Sequence, residues 1–416
     1  MKFKDFAATV ENSALDVLPS MSAQNGLLVE NISGKRALIP LESSVLICGN
    51  IGAGKTVALK KIRQQAILSH PDAVHIVLDV KGEYVRDRKS EDKVLSPTSI
   101  KELPCEEWSL MREIELNSSM HREYIAELCK IIFQESIERA KDPFFPIAAE
   151  LILNGLITDL FVHYKYSYSN KEIIDKIMDL TDDRIRYELS KHPDLARYNS
   201  VFPVNAPNTV GGIRAFLQNE LLSTFSGKMA GNGRFSLTEF IRKASAGSTL
   251  FIEYDPQYSK MSQKALDLWL SILMKASLDN NNYHRSIYFW LDEIAFAGKI
   301  SMLNSLLNLG REYNVKVICG LQSIPQFREI YDVETSNAII SGLQSQIFMR
   351  CNDGDTTEFL LKKLGTERRY SASVGDFSFP GIEIPLLSAS ELSAFRPGEG
   401  IFFTPGNKPF KARVVM

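Results

Sequence analysis

The sequence predicts an α/β protein with a mainly parallel sheet and an all-helical insertion in mid-chain. Near the N-terminus a strand, a glycine-rich loop, a helix and a second strand follow one another, which is the order of a βαβ unit. Strand signals then disappear from about Asn117 to His192, where apolar residues recur at helical spacing. Short apolar runs return afterwards, as expected for strands that are buried on both faces of a parallel sheet.

Length and composition bound the domain organisation. A chain of 416 residues exceeds what one hydrophobic core usually supports. We therefore expect one core domain, residues 1–116 with 201–416, and an all-helical insertion domain, residues 117–200. The formal net charge is only −2, so the charge of the whole chain indicates neither nucleic acid nor an anionic membrane as a partner. Such contacts would need a local basic strip.

Neither export nor membrane insertion is indicated. The first residues lack the continuous apolar stretch of a signal peptide, so we expect a cytoplasmic protein. The most apolar long stretch, Phe144 to Tyr164, is interrupted by polar residues such as Glu150 and Asp159, which predicts a buried helix and no intrinsic membrane span. The cysteines are scattered, without a C-x-x-C pair or a His at zinc-ligand spacing, which is typical of a reducing compartment and predicts no metal cage.

The first elements follow in order from residue 26. Two apolar runs between Gly26 and Pro40 predict a short hairpin. Ser44 to Gly49 is the first core strand, a helix runs from Lys55 to about Leu68, and Val74 to Val80 is the second core strand. These three elements form the predicted βαβ unit.

Further strands are predicted after the insertion, most of them for the core sheet and two short ones for the tail. The core candidates are Ser248 to Tyr254, Ser286 to Glu293, Val315 to Gly320 and Ser345 to Arg350, and the tail candidates are Gly400 to Pro405 and Lys411 to Met416.

The loop of the βαβ unit carries a phosphate-binding motif. Its sequence GNIGAGKT fits G-x-x-x-x-G-K-[ST] at every required position, after a strand and before a helix. A chance glycine-rich turn is the alternative, and both flanking elements disfavour it. We predict that the loop binds MgATP, that Lys55 contacts the β and γ phosphates, and that Thr56 coordinates Mg²⁺. The predicted nucleotide contacts are Gly49, Asn50, Ile51, Gly52, Ala53, Gly54, Lys55, Thr56 and Val57.

A pair of acids ends the strand candidate Ser286 to Glu293. P-loop enzymes place an acid at the end of a second buried strand to hold Mg²⁺ and to orient the attacking water. We therefore assign Asp292 to the metal and Glu293 to polarising the water, which predicts an ATPase. The alternative is a solvated turn or helix start.

A second acid motif, LDVKGEY, ends the strand after the P-loop helix. Its acids Asp79 and Glu83, which flank Lys81, could compete for the metal role, and we rank this motif second. A polar turn with Gly82 at positive φ is an equally good interpretation. The sequence does not assign this motif a role.

The chain resembles the type IV coupling proteins of the VirD4/TraD class, within the FtsK/HerA superfamily of hexameric motor ATPases. The resemblance lies in the order of its motifs along the chain, which is GNIGAGKT, LDVKGEY, a helical insertion containing DPFF, STLFIEY, FWLDE and GREYNVKVICGLQS. The similarity covers nearly all of Ser44 to Arg350. Its most specific parts are D-x-K-G-E at Asp79 to Glu83 and G-R-x(7)-C-G-L-Q-S at Gly310 to Ser323. The resemblance implies a RecA-like P-loop NTPase core and a helical domain that faces DNA or a protein substrate.

The resemblance also implies two further site residues. Gln322 would sense the γ-phosphate, and Arg311 would reach the nucleotide of a neighbouring subunit as an arginine finger in a homo-oligomer, by family pattern a hexamer. From the spacing alone, an exposed cation near a helix end is the better interpretation of Arg311.

Coupling proteins usually begin with transmembrane helices, and no membrane-like segment precedes the P-loop strand here. The sequence leaves three functions open. The first is a motor that moves DNA or a nucleoprotein in conjugation or type IV secretion, docked at the inner membrane through a secretion-channel or relaxosome-type partner. The second is a soluble HerA- or FtsK-like DNA translocase in DNA processing or defence. The third is a nucleotide-gated platform that recruits a protein.

Overall fold

The computed structural model describes residues 15, 18–19, 26–39, 42–98, 104–164, 168–253, 255–279, 285–369 and 382–415. The chain divides into two compact units. The first comprises Met1–His75, Arg285–Ala295 and Leu307–Met416, and the second comprises Ile76–His284 and Phe296–Leu306.

The described strands are Leu27–Glu30 (β1), Arg36–Ile39 (β2), Val45–Cys48 (β3), Val74–Asp79 (β4), Lys93–Leu95 (β5), Thr249–Glu253 (β6), Ile287–Leu291 (β7), Val315–Leu321 (β8), Ser345–Met349 (β9), Thr366–Arg369 (β10), Ile382–Pro385 (β11), Glu399–Phe403 (β12) and Phe410–Val414 (β13). The described helices are Lys55–Ser69 (α1), Leu110–Leu116 (α2), His121–Arg139 (α3), Phe144–Tyr164 (α4), Asn170–Met178 (α5), Asp182–Ser190 (α6), Pro207–Thr224 (α7), Leu237–Lys243 (α8), Ser259–Ser277 (α9), Ile294–Ala297 (α10), Leu303–Leu309 (α11), Ile324–Tyr331 (α12), Val333–Gly342 (α13), Gly354–Leu364 (α14) and Ala389–Ser393 (α15).

The first unit is organised by a mixed sheet in the order β2-β1-β13-β12-β9-β3-β8-β7. Its centre is parallel, because β3 pairs with both β8 and β9, and β7 pairs with β8. One side of this sheet is antiparallel and runs from β9 through β12 and β13 to the hairpin β1-β2. The predicted N-terminal hairpin and tail strands are thereby confirmed, although Pro40 and Met416 lie outside the described residues.

Burial explains the position of the central strands within the sheet. Every residue of β3, β7 and β9 is buried, which matches the charge-free apolar runs that predicted them. The parallel register places Cys48 opposite Leu321, and Leu291 opposite Cys319. The carboxyl ends of these strands therefore meet at one edge of the sheet.

A glycine allows the closest backbone approach at that edge. A Cβ added to Gly320 in β8 would lie 2.0 Å from the carbonyl oxygen of Asp292, which follows β7. Any other residue would have to displace that backbone. Gly320 therefore holds the end of β7 against β8.

The second unit carries strands in the order β4-β6-β5, with β5 parallel to β6, and most of the described helices. Between residues 110 and 234 its described residues form helices and loops and no strand. Helix α4 packs against both α3 and α7. The bounds 117–200 of an insertion domain remain a prediction, because α2 precedes that range and α7 follows it.

Helix α4 is the described helix that is long and apolar enough to cross a membrane by length and composition, over Phe144–His163. Within the protein, 72% of that stretch is buried. Ala148, Ala149, Ile152 and Leu153 are at most 1% exposed, as expected for a core helix. This agrees with the buried helix that the sequence predicts.

Candidate nucleotide site

The glycine-rich loop lies at the carboxyl edge of the central strands and is held there by backbone hydrogen bonds. The Gly49 N–H donates to the carbonyl of Leu321 at the end of β8, over 3.0 Å. The Asn50 N–H donates to the carbonyl of Arg350, just after β9, over 2.8 Å. The Ala53 carbonyl in turn accepts from the N–H of Gly398, before β12, over 2.8 Å. Parts of the chain far apart in sequence thus fix the loop.

Two of its glycines adopt backbone angles that favour glycine. Gly52 has φ 76° and Gly54 has φ 104°, both in the left-handed region. Gly54 is also crowded, because a Cβ there would lie 2.8 Å from the nitrogen of Gly398. Ile51 at the loop tip is 79% exposed and Val57 on α1 is 39% exposed, so both predicted contacts lie at the open side of the loop.

The side chain of Lys55 is enclosed by the loop. It is only 8% exposed, and its Nζ donates to the carbonyl of Gly49 over 2.6 Å and to that of Asn50 over 3.4 Å. The ammonium group is therefore positioned within the curve of the loop. That is where a P-loop lysine meets phosphate oxygens.

Thr56 and Asp292 are far apart in the sequence, and the fold brings their side chains together. The Thr56 hydroxyl donates to both carboxylate oxygens of Asp292, over 3.2 and 3.3 Å. Neighbouring ligands of an octahedral Mg²⁺ at about 2.1 Å lie about 3 Å apart, and Mg²⁺ prefers hard oxygen ligands. This pair fits the magnesium ion of a bound nucleotide.

Glu293 is a buried carboxylate beside that pair. Burial raises the pKa of Glu293 to about 7, and the negative charge of Asp292 adds to this increase. The positive charge of Lys55 and hydrogen bonds from Gln322 lower the pKa and so oppose it. It is 8% exposed, and among the described residues its Oε1 has no hydrogen-bond partner. A buried acceptor of this kind suits a group that receives a proton from water.

Gln322 belongs to the same cluster. It directly follows β8, and both its side chain and its backbone hydrogen bond to the Glu293 carboxylate. The structure thus gathers Lys55, Thr56, Asp292, Glu293 and Gln322 at one edge of the sheet.

The structure does not place Arg311 with these residues. It is exposed in the turn after α11, where Val315 donates to the Gly310 carbonyl over 2.8 Å. That turn precedes β8, whereas the site lies at the other end of β8, about 20 Å away at 3.3 Å per residue. Arg311 therefore does not reach its own P-loop. The two interpretations, a finger for another subunit and a surface cation, both remain open.

Arg350 is a site residue that the sequence reasoning missed. It immediately follows β9, the parallel neighbour of β3, and its Nη2 lies 3.6 Å from where a Cβ on Gly52 would be. Its guanidinium group is therefore beside the phosphate-binding loop. The signal was present in the sequence, because a charged residue after a buried parallel strand lies at the ligand edge of the sheet.

In the second unit, the carboxylate of Asp79 in the D-x-K-G-E motif holds the following turn of the backbone. The carboxylate of Asp79 accepts N–H groups from Glu83, Tyr84 and Val85 over 2.8–3.0 Å, and Gly82 has φ 62°. This is the geometry of the polar-turn interpretation. Burial also raises the pKa of neighbouring Glu253 to about 7, reinforced by the charge of Asp79.

Comparison with known proteins identifies relatives. A family model for the type IV secretion-system coupling protein DNA-binding domain matches residues 39–376, more than half of the chain. Coupling protein TraD of Escherichia coli (strain K12) is 21% identical over 333 residues, which cover 78% of this chain and 44% of TraD. Conjugal transfer protein TraG of Agrobacterium fabrum is 25% identical over 296 residues, which cover 65% of this chain and 44% of TraG. The chain thus spans about half the length of these relatives.

Solved structures share the fold. The plasmid coupling protein TrwB in complex with ADP and Mg²⁺ matches with a TM-score of 0.76 at 18% identity, covering 98% of this chain and 92% of that one. VirB4 of Thermoanaerobacter pseudethanolicus matches with a TM-score of 0.58 at 13% identity, covering 95% of this chain and 98% of that one. The predicted fold class, a RecA-like P-loop NTPase core with a mainly parallel sheet and a helical part, is confirmed.

Buried Glu293 makes the stability of the protein depend on pH. Below about pH 4.5 the carboxyl group is protonated in both the native and the unfolded chain. Between about 4.5 and 7 the unfolded chain loses this proton and the native carboxyl keeps it, so the free energy of unfolding falls as pH rises. We expect Glu293→Gln to abolish this fall. Relative to wild type, its free energy of unfolding should then be higher at pH 8 by on the order of 3 kcal/mol and nearly unchanged at pH 4.

Denaturant unfolding of both proteins at a series of pH values measures this difference. Exposed Glu312→Gln in the same unit is the control and should leave the pH profile of the wild type intact. A Glu293→Gln difference that is the same at pH 4 and pH 8 would show that the pKa of Glu293 is the same in the native and the unfolded chain, so that burial does not raise it.

Proposed function

The chain belongs to the type IV secretion-system coupling protein family, and from that premise we propose that it is an ATP-hydrolysing motor that moves DNA or a nucleoprotein substrate. The observation that carries this proposal is the convergence of Lys55, Thr56, Asp292 and Glu293 at one sheet edge. A lysine in a glycine-rich loop, a hydroxyl paired with a carboxylate, and a buried second carboxylate are the parts that phosphoryl transfer to water requires.

MgATP is the proposed cofactor. The related TrwB has been solved with ADP and Mg²⁺ and with a non-hydrolysable ATP analogue, and its fold matches this chain. In this chain the N–H groups of the loop and the Lys55 ammonium would bind the β and γ phosphates. Thr56 and Asp292 supply hard oxygen ligands for Mg²⁺, which shields phosphate charge when bound. Arg350 adds a cation from the same subunit.

Glu293 performs the proton step in this proposal. As a carboxylate, its Oε1 accepts a hydrogen bond from the attacking water and takes its proton as the water oxygen bonds to the γ-phosphorus and the bond from that phosphorus to the oxygen of the leaving ADP breaks. The hydrogen bonds from Gln322 hold the carboxylate in position and link it to the end of β8. A change at the γ-phosphate can thereby be sensed at Gln322. The Glu293 pKa of about 7 leaves much of the carboxyl group ready to act as a base at neutral pH.

The motor is proposed to work as a homo-oligomer, a hexamer by family pattern. Exposed Arg311, about 20 Å from its own P-loop along β8, can act on a nucleotide only across a subunit interface. The planar guanidinium group would then stabilise the negative charge on the phosphoryl group that is being transferred. We place the protein in the cytoplasm, at the inner membrane through a secretion-channel or relaxosome-type partner.

DNA is the proposed cargo on the strength of the family. The basic run Lys60-Lys61-Arg63 is part-buried on α1, whereas Lys362 and Lys363 are exposed on α14, where Lys363 donates to the side chain of Gln346. The side chains of Arg368 and Arg369 lie outside the described residues. The second candidate, a nucleotide-gated recruitment platform, would hydrolyse ATP without a response to DNA.

We expect ATPase turnover to rise when single- or double-stranded DNA is added, because a motor couples hydrolysis to its track. Steady-state phosphate release, measured together with the native mass of the nucleotide-bound protein, tests this. Glu293→Gln is the control for contaminating ATPases and should lower turnover about 10²- to 10⁴-fold with nucleotide binding kept. Turnover that DNA leaves unchanged would favour the recruitment platform. No turnover above the Glu293→Gln background would refute the ATPase.

We expect Arg311→Ala and Lys55→Ala subunits, each inactive alone, to regain partial ATPase activity when mixed. Some interfaces then join an intact P-loop to an intact finger. An arginine finger contributes about 10³- to 10⁵-fold in turnover, whereas an exposed surface cation contributes far less. The matched control is Arg36→Ala, an exposed arginine that pairs with Glu30 and should keep full activity. If mixed oligomers show no ATPase activity, or if Arg311→Ala alone is fully active, Arg311 is an ordinary surface cation and no arginine finger.

A further inference from the structure

A buried carboxylate in the helical part of the second unit holds two imidazoles. Asp159 Oδ1 lies 3.0 Å from His163 Nδ1 and 3.0 Å from His192 Nε2, and one donor atom from each residue lies within 4.8 Å of the others. We call Asp159, His163 and His192 the Asp159 cluster. Asp159 is 4% exposed, His192 is mostly buried and His163 is 41% exposed. None of these residues takes part in the nucleotide site.

The fold brings the cluster together from two places in the chain. Asp159 and His163 are four residues apart on α4, so both side chains lie on the same face of that helix. His192 comes from the segment just after α6, and α4 packs against α6. The linear spacing of these histidines gave no sign of a site, because the third donor is supplied by tertiary structure.

A metal-free hydrogen-bond network is the simpler interpretation. One carboxylate would accept an N–H from each imidazole, and His163 Nδ1 also lies 3.0 Å from the Asp159 carbonyl. The same separations suit a metal, since ligands at about 2.0–2.2 Å from one ion lie about 3 Å from each other. Distances alone therefore allow both, and a second carboxylate beside Asp159 favours a bound cation.

A second buried carboxylate, Glu188, lies beside the cluster. Glu188 on α6 is 7% exposed and pairs with both Lys191 and Arg184, so two cations already compensate its charge. The Glu188 carboxyl group also interacts with Asp159, which brings a second carboxylate beside the first. Two buried carboxylates in contact repel each other unless a proton or a cation lies between them. Lys191 attracts both carboxylates, and a metal ion held by the imidazoles would add further positive charge between them.

We propose that the Asp159 cluster binds one divalent transition-metal ion of the Zn²⁺ class. Asp159, His163 Nδ1 and His192 Nε2 are the ligands, and each imidazole then carries its proton on the other ring nitrogen. Imidazole nitrogens with a carboxylate select Zn²⁺, Co²⁺ or Ni²⁺ over Mg²⁺ and Ca²⁺. Glu188 or water completes the coordination. The ion ties α4 to the chain after α6, so its role is to stabilise the helical part.

Titration of the nucleotide-free, chelator-stripped full chain with Co²⁺ tests the site, because Co²⁺ bound to imidazole has visible d–d absorption. Excess Mg²⁺ is present during the titration, because it saturates the sites that consist of oxygen ligands. We expect about one equivalent of Co²⁺ to bind, Zn²⁺ to displace it, and Zn²⁺ to raise the melting temperature. His192→Ala and Asp159→Asn should weaken Co²⁺ binding by at least about tenfold. The control His121→Ala removes a histidine of α3, outside the cluster, and should bind as wild type.

Two results would overturn the proposal. One is the absence of d–d absorption in the folded wild-type chain, and the other is unchanged Co²⁺ affinity in folded His192→Ala. If His192→Ala does not fold, His163→Ala decides, because that side chain is 41% exposed and tolerates truncation. Unchanged Co²⁺ affinity in His163→Ala leaves the cluster as a hydrogen-bond network. A loss of at least about tenfold supports the metal site.

Discussion

The parallel pairing of β3 with β8 and β9, and of β7 with β8, is the constraint on which the site depends. It makes the carboxyl ends of these strands coincide, and so places the P-loop, Asp292, Gln322 and Arg350 at one edge although they are scattered along the chain. Gly320 tightens this arrangement, because a Cβ there would lie 2.0 Å from the Asp292 carbonyl. The chemistry of the site is thus a consequence of backbone register.

Burial at that edge sets the electrostatics. Glu293 is almost fully enclosed, which raises the pKa of its carboxyl group to about 7, while Lys55 and Gln322 counteract the effect. A carboxylate in this condition is costly for stability and useful for chemistry, since its affinity for a proton approaches that needed by a general base at neutral pH. Nearby Lys55 donates to the backbone carbonyls of Gly49 and Asn50, so its charge lies within the curve of the loop.

The sequence predicted what depends on local pattern. The βαβ unit, the buried strands, the hairpin and the helix α4 all follow from hydrophobic spacing and turn residues, and the P-loop motif specifies its own geometry. Three features escaped it, and each depends on a contact between parts of the chain that are far apart in sequence. Arg350 reaches Gly52 through the β3–β9 pairing, Gly398 supports the loop from the far end of the chain, and Asp159 meets His192 through packing of α4 on α6. The exposed position of Arg311 just after α11 agrees with the interpretation that its spacing favoured.

The central claim is that the loop around Lys55 binds a magnesium nucleotide. Calorimetric titration of a non-hydrolysable ATP analogue with Mg²⁺ into wild type and Lys55→Ala tests it most directly, with Lys61→Ala on the same helix as control. A contact between an ammonium and phosphate is worth about 1.5–3 kcal/mol, so Kd should rise about ten- to a hundredfold in Lys55→Ala and stay unchanged in Lys61→Ala. Equal Kd values for wild type and Lys55→Ala would contradict the account.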